Sequence, residues 1–577
     1  MEPQKKLINA AESCVDEALL GLVRASGGLS LLRGHRVVLR SDLENLKGKV
    51  ALLSGGGSGH EPSHAGYIGA GMLSAAVAGG VFASPPPGSI LAAILSLHNA
   101  GASGVLLIVK NYTGDRLNFG LAAEQARNQG VAVDMVIVAE DCAFDQPSKA
   151  GRRGLCGTVF IHKLAGALAE EGCSLAQIVS KVTEILKGIG TLGVSLSPCS
   201  VPGCLPSFDL PPGDMELYGS FSVDLLTQVA SADEVVKTMI DHMTNPSSQS
   251  HLPLKSGDSV VVCVNNLGAL SCLEMAVVTR SAILCLESLG VVVARVMSGL
   301  FMTSLEMAGV SLTLMRADKE TLRLIDAKTT APAWPNLSSV CLSGRSYITE
   351  PLTTSKRPQD EKHSEGPLSP VMHKALEKIC STLLEKQEEL NSLDRASGDG
   401  DCGNTHAQAA KAIQEWLHGH VVPGCPGQLL LVLAGLVQEK MGGSSGALYS
   451  LFLTAAAGHV TEGRSDAVAW ANAMNAGTEA MKKYGGAAPG DRTMLDALCP
   501  AVDELIKLTT APSGGHMAVL QSAVKKAASG AEATRDLKAR AGRASYISPN
   551  LLSLPDPGAV AVATILKAIL EVLEGQK

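Results

Sequence analysis

Residues 50–62 read Val50-Ala51-Leu52-Leu53-Ser54-Gly55-Gly56-Gly57-Ser58-Gly59-His60-Glu61-Pro62. An unbroken apolar run passes straight into glycine, which predicts a strand at 50–53 buried on both faces, then a turn whose backbone can close on a ligand. Residues 105–109 and 135–138 repeat the pattern, each ending in a polar or glycine-rich turn. Helical spacing alternates with these runs; Val15, Ala18, Leu19 and Leu22 fall at i, i+3, i+4 and i+7. From residue 9 to about 336 this alternation predicts α/β layering. In open α/β sheets small molecules bind beyond the carboxyl ends of the strands, so the turns are where chemistry is expected.

A second α/β set, expected from about residue 200 with strands at 260–264, 291–297 and 311–315, predicts a companion subdomain. Residues 343–370 are polar, proline-punctuated and poor in large apolar side chains, which predicts a linker that adds nothing to a core. Beyond it the strand-like runs vanish. Leu376, Ile379, Cys380, Leu383 and Leu390 form an amphipathic stripe, and 407–417, 428–440 and 559–570 look similar, predicting an all-helical barrel or bundle.

A length of 577 residues, at roughly 150 per domain, predicts about three or four globular units. Hydrophobic residues make up 46%, charged residues 18% and aromatics 3%, which excludes disorder throughout. The net charge of −7 leaves no general positive field to hold nucleic acid or an anionic membrane. The opening MEPQKKLINAAESC has no apolar signal core, and the apolar run at 429–437 is far short of the ~20 residues that cross a bilayer. A cytosolic protein is expected. Fourteen cysteines occur without a Cys-x-x-Cys pair, and the expectation is reduced, mostly buried thiols.

The turn after the first strand matches neither the P-loop nor the dinucleotide fingerprint. Its backbone N–H groups would suit a small polyhydroxylated or carbonyl compound, and His60 adds a side chain that titrates near neutrality. The bland alternative is a tight glycine turn with an incidental histidine. Residues 110–118, Lys110-Asn111-Tyr112-Thr113-Gly114-Asp115-Arg116-Leu117-Asn118, place an ammonium and a carboxylate after the next strand. Asp115 either accepts the proton of an attacking hydroxyl or caps the following helix.

In the helical half, Asp394, Asp399 and Asp401 bring three carboxylates within eight residues, between glycines. Hard oxygen ligands of this kind suit Mg²⁺ or Mn²⁺ bridged to phosphates, the alternative being a solvated Asp/Gly turn. Met441-Gly442-Gly443-Ser444-Ser445-Gly446-Ala447 leads into a helix whose free N–H groups and hydroxyls suit a phosphate. Residues 488–496, with Arg492 as a counter-charge, and the turn Asp556-Pro557-Gly558 add further loops to a metal–nucleotide pocket.

The segments GGGSGHEPSHAG, IVKNYTGDRLNFG, GRRGLCGTVFIHK, LDRASGDGDCG, EKMGGSSGALY, GDRTMLDAL and AGRASYIS together resemble the ATP-dependent dihydroxyacetone kinases over nearly everything outside the linker. The resemblance implies a multidomain chain: an α/β DhaK domain of two subdomains at 9–337, a linker at 338–370, and an all-α DhaL helical barrel at 371–572. It implies that dihydroxyacetone or glyceraldehyde meets Gly57, Ser58, Gly59, His60, Lys110 and Asp115, with His60 and Asp115 as the polarising and proton-accepting pair. Metal falls to Asp394, Asp399 and Asp401. Nucleotide falls to Asp399, Gly400, Asp401, Cys402, Ser444, Ser445, Gly485, Thr493, Met494, Asp556, Pro557 and Gly558. The implied co-substrate is ATP, with Mg²⁺ for the kinase, and the implied assembly is a homodimer.

Members of this family also split FAD into AMP and riboflavin cyclic 4′,5′-phosphate, with Mn²⁺ or Co²⁺ as the implied metal. One departure stands out. The family holds its ketone covalently through a histidine, but here the aligned stretch reads Glu216-Leu217-Tyr218-Gly219-Ser220-Phe221-Ser222-Val223-Asp224, with Ser222 at that position. A serine hydroxyl forms no stable hemiaminal. The alternatives to a bifunctional enzyme are therefore a cyclase with an impaired kinase, or a non-catalytic DhaK module that engages a regulatory protein partner.

Overall fold

Strand-forming residues run on past Leu53 into the glycines. In the computed structural model, which describes residues 5–147, 149–206, 210–211, 213–217, 226–345, 347–349, 358–396, 398–510, 514–546 and 552–575, the strand spans Val50–Ser58. The expected turn at Ser54 to Ser58 is thus strand. Gly55 pairs with Val109 on one side and Val77 on the other, and a side chain there would collide with the Val77 carbonyl.

With this strand as β3, one sheet contains β1 (Leu29–Leu31), β2 (Val37–Arg40), β4 (Ala75–Val81), β5 (Gly104–Lys110) and β6 (Val133–Val138). Its order is β1-β2-β4-β3-β5-β6, with β4, β3, β5 and β6 parallel and β1 and β2 antiparallel at the edge. The second sheet contains β7 (Ile189–Ser195), β8 (Asp214–Leu217), β9 (Leu226–Gln228), β10 (Ser259–Asn266), β11 (Val292–Gly299) and β12 (Gly309–Arg316), in the order β11-β10-β12-β7-β8-β9. Only its β10–β11 pair is parallel. This sheet starts at Ile189, ahead of the expected residue 200. Its opening strand, IGTLGVS, hides among glycines, and Gly190 lets Cys142 and Leu252 pack against it.

The chain divides into two compact units, Met1–Thr349 and Glu350–Lys577, not the three or four suggested by length. The reason is a shared core. The helix Thr158–Glu170 is buried on every face, and its cluster takes in Leu52, Leu106 and Val136 from the first sheet with Val261, Cys263 and Met315 from the second. Residues 338–370 are also not devoid of packing. Leu342 N donates to Val293 O at 3.1 Å in the first unit, and buried Gln359 accepts from Trp416 Nε1 at 3.2 Å in the second.

The second unit is helical as expected. Ser369–Glu385, Cys402–Gly419, Pro426–Lys440, Gly443–Ala457, Ala467–Gly485, Leu495–Leu505, Gly515–Ala533 and Pro557–Glu574 each pack on the next, and the last returns to the first. This closed ring surrounds an apolar cavity of about 550 Å³. Among the described residues no helix is long and apolar enough to cross a membrane, and all fourteen cysteines are free.

A close helix–loop approach in the first unit is at Gly166, where a β-carbon would stand 2.5 Å from Met72 Cα and nearer still to Gly71. Gly166→Ala is therefore expected to destabilise the first unit by about 1–3 kcal/mol through overpacking against backbone. Urea unfolding followed through Trp334, which packs on this core, checks it.

Candidate active site

The end of β3 carries the site because Gly55, Gly56 and Gly57 carry no side chains. At Gly57 a β-carbon would lie 2.7 Å from Ala83 N, so the segment after β4 closes over the strand. Beyond it, Gly59 adopts φ 101°, which favours glycine. The turn is then tied to the loop between β11 and β12 of the second sheet: Leu305 N donates to Gly59 O at 2.8 Å and Thr303 N to His60 O at 3.2 Å. His60 Nδ1 donates to the Thr303 carbonyl at 2.7 Å. That commitment leaves Nε2 of a neutral His60 as an acceptor. Burial first, and the nearby Lys110 charge second, push its pKa down to about 3.

Lys110 ends β5 and is 3% exposed. Burial lowers its pKa, against the pull of Asp115 and Glu140. Asp115 does not cap the helix Thr113–Arg127; Tyr112 holds the cap position and Asp115 sits in the first turn. There Ser84 Oγ donates to Asp115 Oδ1 at 2.5 Å. Burial raises the Asp115 pKa above the usual carboxylate value, while Ser84 and Lys110 oppose it. A cavity of about 40 Å³ opens among His60, Lys110, Gly154, Gly193, Thr303 and Ser311. The structure thus brings His60 and Lys110 to one cavity and sets Asp115 beside Lys110 at Gly56. It does not bring Gly57 and Gly59 to that cavity, where they meet Phe82, Ala83 and Leu305 instead, and the Ser58 hydroxyl turns to the Gly79 carbonyl at 2.9 Å.

Sequence reasoning missed four contributors. Glu140, fully buried and pushed up to about 7 by burial, accepts from Leu155 N at 3.0 Å and Gly157 N at 2.8 Å, fixing the segment that lines the cavity. An acidic pair after a strand gives no signal by itself. Ser84 and Thr303 come from distant segments and give none either. His64 was legible, lying one helical spacing after His60 in the same glycine-rich motif.

In the helical unit, Asp394, Asp399 and Asp401 each bring one carboxylate oxygen within 4.8 Å of the others. Asp394 Oδ2 accepts from Asp401 N at 3.0 Å and Cys402 N at 3.1 Å, so the loop folds back on its own first acid. Three converging hard oxygen donors fit a divalent cation. Asp556 caps the helix Pro557–Glu574, accepting from Ala559 N at 2.8 Å. Burial raises its pKa to about 6, with Arg492 pulling down and Asp496 and Asp394 pushing up. Met494 packs over Gly558. Thr493 N donates to Asp496 Oδ2 at 2.8 Å. Gly400 takes φ 79° within the acidic loop. Ser444 and Ser445 lie in the first turn of Gly443–Ala457, and Gly485 ends Ala467–Gly485. Among the described residues these last three share no hydrogen bond with the acidic loop. Ser222 lies outside the described residues.

Residues 20–333 match the Dak1 domain and residues 396–571 the DAK2 domain. A human triokinase/FMN cyclase is 56% identical over 574 residues, covering 99% of each chain. A Citrobacter freundii dihydroxyacetone kinase is 37% identical over 582 residues, covering 98% of each. The crystal structure of the dihydroxyacetone kinase from C. freundii in complex with AMP-PNP and Mg²⁺ aligns with a TM-score of 0.66 at 34% identity, over 98% of this chain and 99% of that one.

The buried histidines set a direction for acid sensitivity. His60 and His162 are pushed from 6.5 down to about 3 and His64 well below 6.5, in each case chiefly by burial. Below pH 6.5 the unfolded chain takes up protons that these folded imidazoles refuse, so the stability from their neutrality is full above 6.5 and is lost as pH falls toward 3. Glu140 works the opposite way between 4.5 and about 7, and Asp115 and Glu216 are raised by burial as well, but the three imidazoles, whose unfolded value is 6.5, outweigh them between pH 5 and 7.5. The urea midpoint of the first unit is therefore expected to be lower at pH 5 than at pH 7.5.

Proposed function

The chain belongs to the dihydroxyacetone kinase family, and we infer that it transfers the γ-phosphoryl group of ATP to dihydroxyacetone and glyceraldehyde, and splits FAD into AMP and riboflavin cyclic 4′,5′-phosphate. The observation that carries this reading is the convergence of one oxygen each from Asp394, Asp399 and Asp401 within 4.8 Å. These residues would hold Mg²⁺ for the kinase and Mn²⁺ or Co²⁺ for the cyclase. When bound there, such a cation neutralises and bridges phosphate oxygens.

The chain's own groups divide the remaining work. The first-turn N–H groups and hydroxyls of Ser444 and Ser445 hold phosphate at a helix N-terminus. Gly400, Cys402, Gly485, Thr493, Met494 and the Asp556-Pro557-Gly558 turn enclose the nucleotide. Gly57, Ser58 and Gly59 border the triose, His60 Nε2 accepts from one of its hydroxyls, and Lys110 supplies positive charge. In the kinase step the attacking hydroxyl oxygen bonds to the γ-phosphorus, the β–γ bridging bond breaks to release ADP, and the hydroxyl proton goes to Asp115. Burial makes Asp115 a stronger base than a solvated aspartate.

In the cyclase step a ribityl hydroxyl of FAD bonds to its own phosphorus and AMP leaves with the bridging oxygen. That nucleophile arrives tethered, so this reaction makes no demand on Lys110 or Asp115. A narrower reading, cyclase alone, has one observation in its favour: Ser222 where the family has its anchoring histidine. The proposal includes a homodimer, which sedimentation velocity would read at twice 59.5 kDa.

Asp399→Ala and Asp401→Ala are each expected to abolish both activities, since both reactions work on phosphate at the acidic loop; retention of either would move the metal elsewhere. Asp115→Asn separates the two reactions. It is expected to lower triose phosphorylation by about 10²–10⁴-fold and leave FAD cleavage unchanged, as read by ADP and AMP release. Wild-type protein that cleaves FAD without phosphorylating dihydroxyacetone would establish the narrower reading.

A further inference from the structure

Lys110 and Asp115 share their spot with a third group that the proposed reaction does not use. Where a β-carbon would stand on Gly56, Lys110 Cε lies 3.4 Å away, His64 Nε2 3.6 Å and Asp115 Oδ2 3.7 Å. A lysine arm, an imidazole and a carboxylate therefore border one hollow that exists because residue 56 is glycine. His64 is 6% exposed, and its Nε2 has no hydrogen-bond partner. A buried nitrogen left this way costs free energy unless the working enzyme supplies a partner.

The other edge of the ring settles which kind of partner it needs. Ser54 Oγ gives its only proton to Ile108 O at 2.7 Å, so toward His64 Nδ1, 3.3 Å away, it can only accept. A proton on Nδ1 serves both Ser54 Oγ and His162 Nε2, the latter at 3.0 Å, and is the tautomer assigned to His64; the N–H then left without a partner is His162 Nδ1. His64 Nε2 is left as a bare lone pair facing the hollow. Burial, with His162 and Lys110 adding to it, keeps His64 neutral. Lys110 is complementary: its ammonium lies 5.3 Å from the centre of the Tyr112 ring, and among the described residues it makes no hydrogen bond.

We propose that His64 is a positioning residue for Lys110: its Nε2 lone pair is the acceptor that draws the ammonium over Gly56 beside Asp115, while Ser54 and His162 hold the ring proton on the far side. This rests on the reading of Lys110 and Asp115 as triose-site residues. The charged groups facing Lys110 are Asp115 and Glu140, with His60, His64 and His162 neutral around it. An acceptor on the ammonium favours its charged form, so removing it lets burial lower the lysine pKa further.

In His64→Leu the alkaline limb of kcat/KM for dihydroxyacetone is expected to move to lower pH and kcat to fall about tenfold, with KM for ATP unchanged. His64→Gln, whose amide oxygen is again an acceptor, is expected to restore both. A His64→Leu protein with native near-ultraviolet circular dichroism, wild-type kcat and an unmoved alkaline limb overturns the proposal. Nitrogen-15 NMR of histidine-labelled wild-type protein, with the His64 signals assigned by their loss in His64→Gln, supplies a readout that needs neither turnover nor a folded leucine variant. A protonated Nδ1 and bare Nε2 are expected; a proton on Nε2 overturns the inference. A chain that never phosphorylates dihydroxyacetone would sink the kinase reading alone, because the tautomer is measured on the resting protein.

Discussion

At Gly55 and Gly57 the chain passes so close to its neighbours that a methyl group would strike the Val77 carbonyl or Ala83 N, and at Gly56 a methyl group would occupy the hollow between Lys110 and His64. Each glycine fixes a different part of the N-terminal unit. The first lets β3 lie in the sheet between β4 and β5. Gly57 lets the segment after β4 fold over the strand. Gly56 lets a buried lysine, histidine and aspartate face one point. Glycine weakens strands by its backbone freedom, and here the fully apolar Val50 to Leu53, at most 3% exposed, offset that cost.

Crowding of this kind also explains the electrostatics. Burial lowers the Lys110 pKa and raises those of Asp115 and Glu140, so each group moves toward its neutral form. Their mutual attraction works against that drift without closing any of them into an ion pair with another. A base left in this state holds a proton more readily than an exposed carboxylate, which is what proton transfer from a hydroxyl near neutral pH requires. Glu140 adds geometry: its carboxylate accepts from Leu155 N, Gly157 N and Thr191 Oγ1, so the wall of the cavity beside His60 and Lys110 is held by a group that is not itself part of the lining.

The sequence made the strands and the acidic trio legible because each is a local pattern: an unbroken apolar run in one case, closely spaced carboxylates in the other. It hid what depends on pairing. Gly55 to Ser58 read as a turn because glycine marks turns far more often than it marks a central strand, and only the neighbours Val77 and Val109 reveal the pairing. Ile189–Ser195 went unseen for the same reason. Glu140, Ser84 and Thr303 reach the site from separate segments, a fact of topology that no spacing encodes. Buried Gln359 looked like linker because a single polar residue held by Trp416 and Glu439 has no periodicity.

The acidic loop follows a different logic from the glycine strand. Asp394, Asp399 and Asp401 are only half-buried or exposed, so solvent softens a repulsion that would be prohibitive in the core. Asp394 then spends one oxygen on Asp401 N and Cys402 N, which draws the loop into a curve before any cation arrives. Part of the ordering entropy is thereby met by backbone hydrogen bonds, and a cation entering such a loop meets oxygens already gathered. Asp556, behind them and pushed up to about 6 by burial, adds little negative charge of its own at mildly acid pH. The loop thus concentrates carboxylate oxygens where a cation and phosphate would meet, while Asp556 holds the neighbouring turn by capping the last helix.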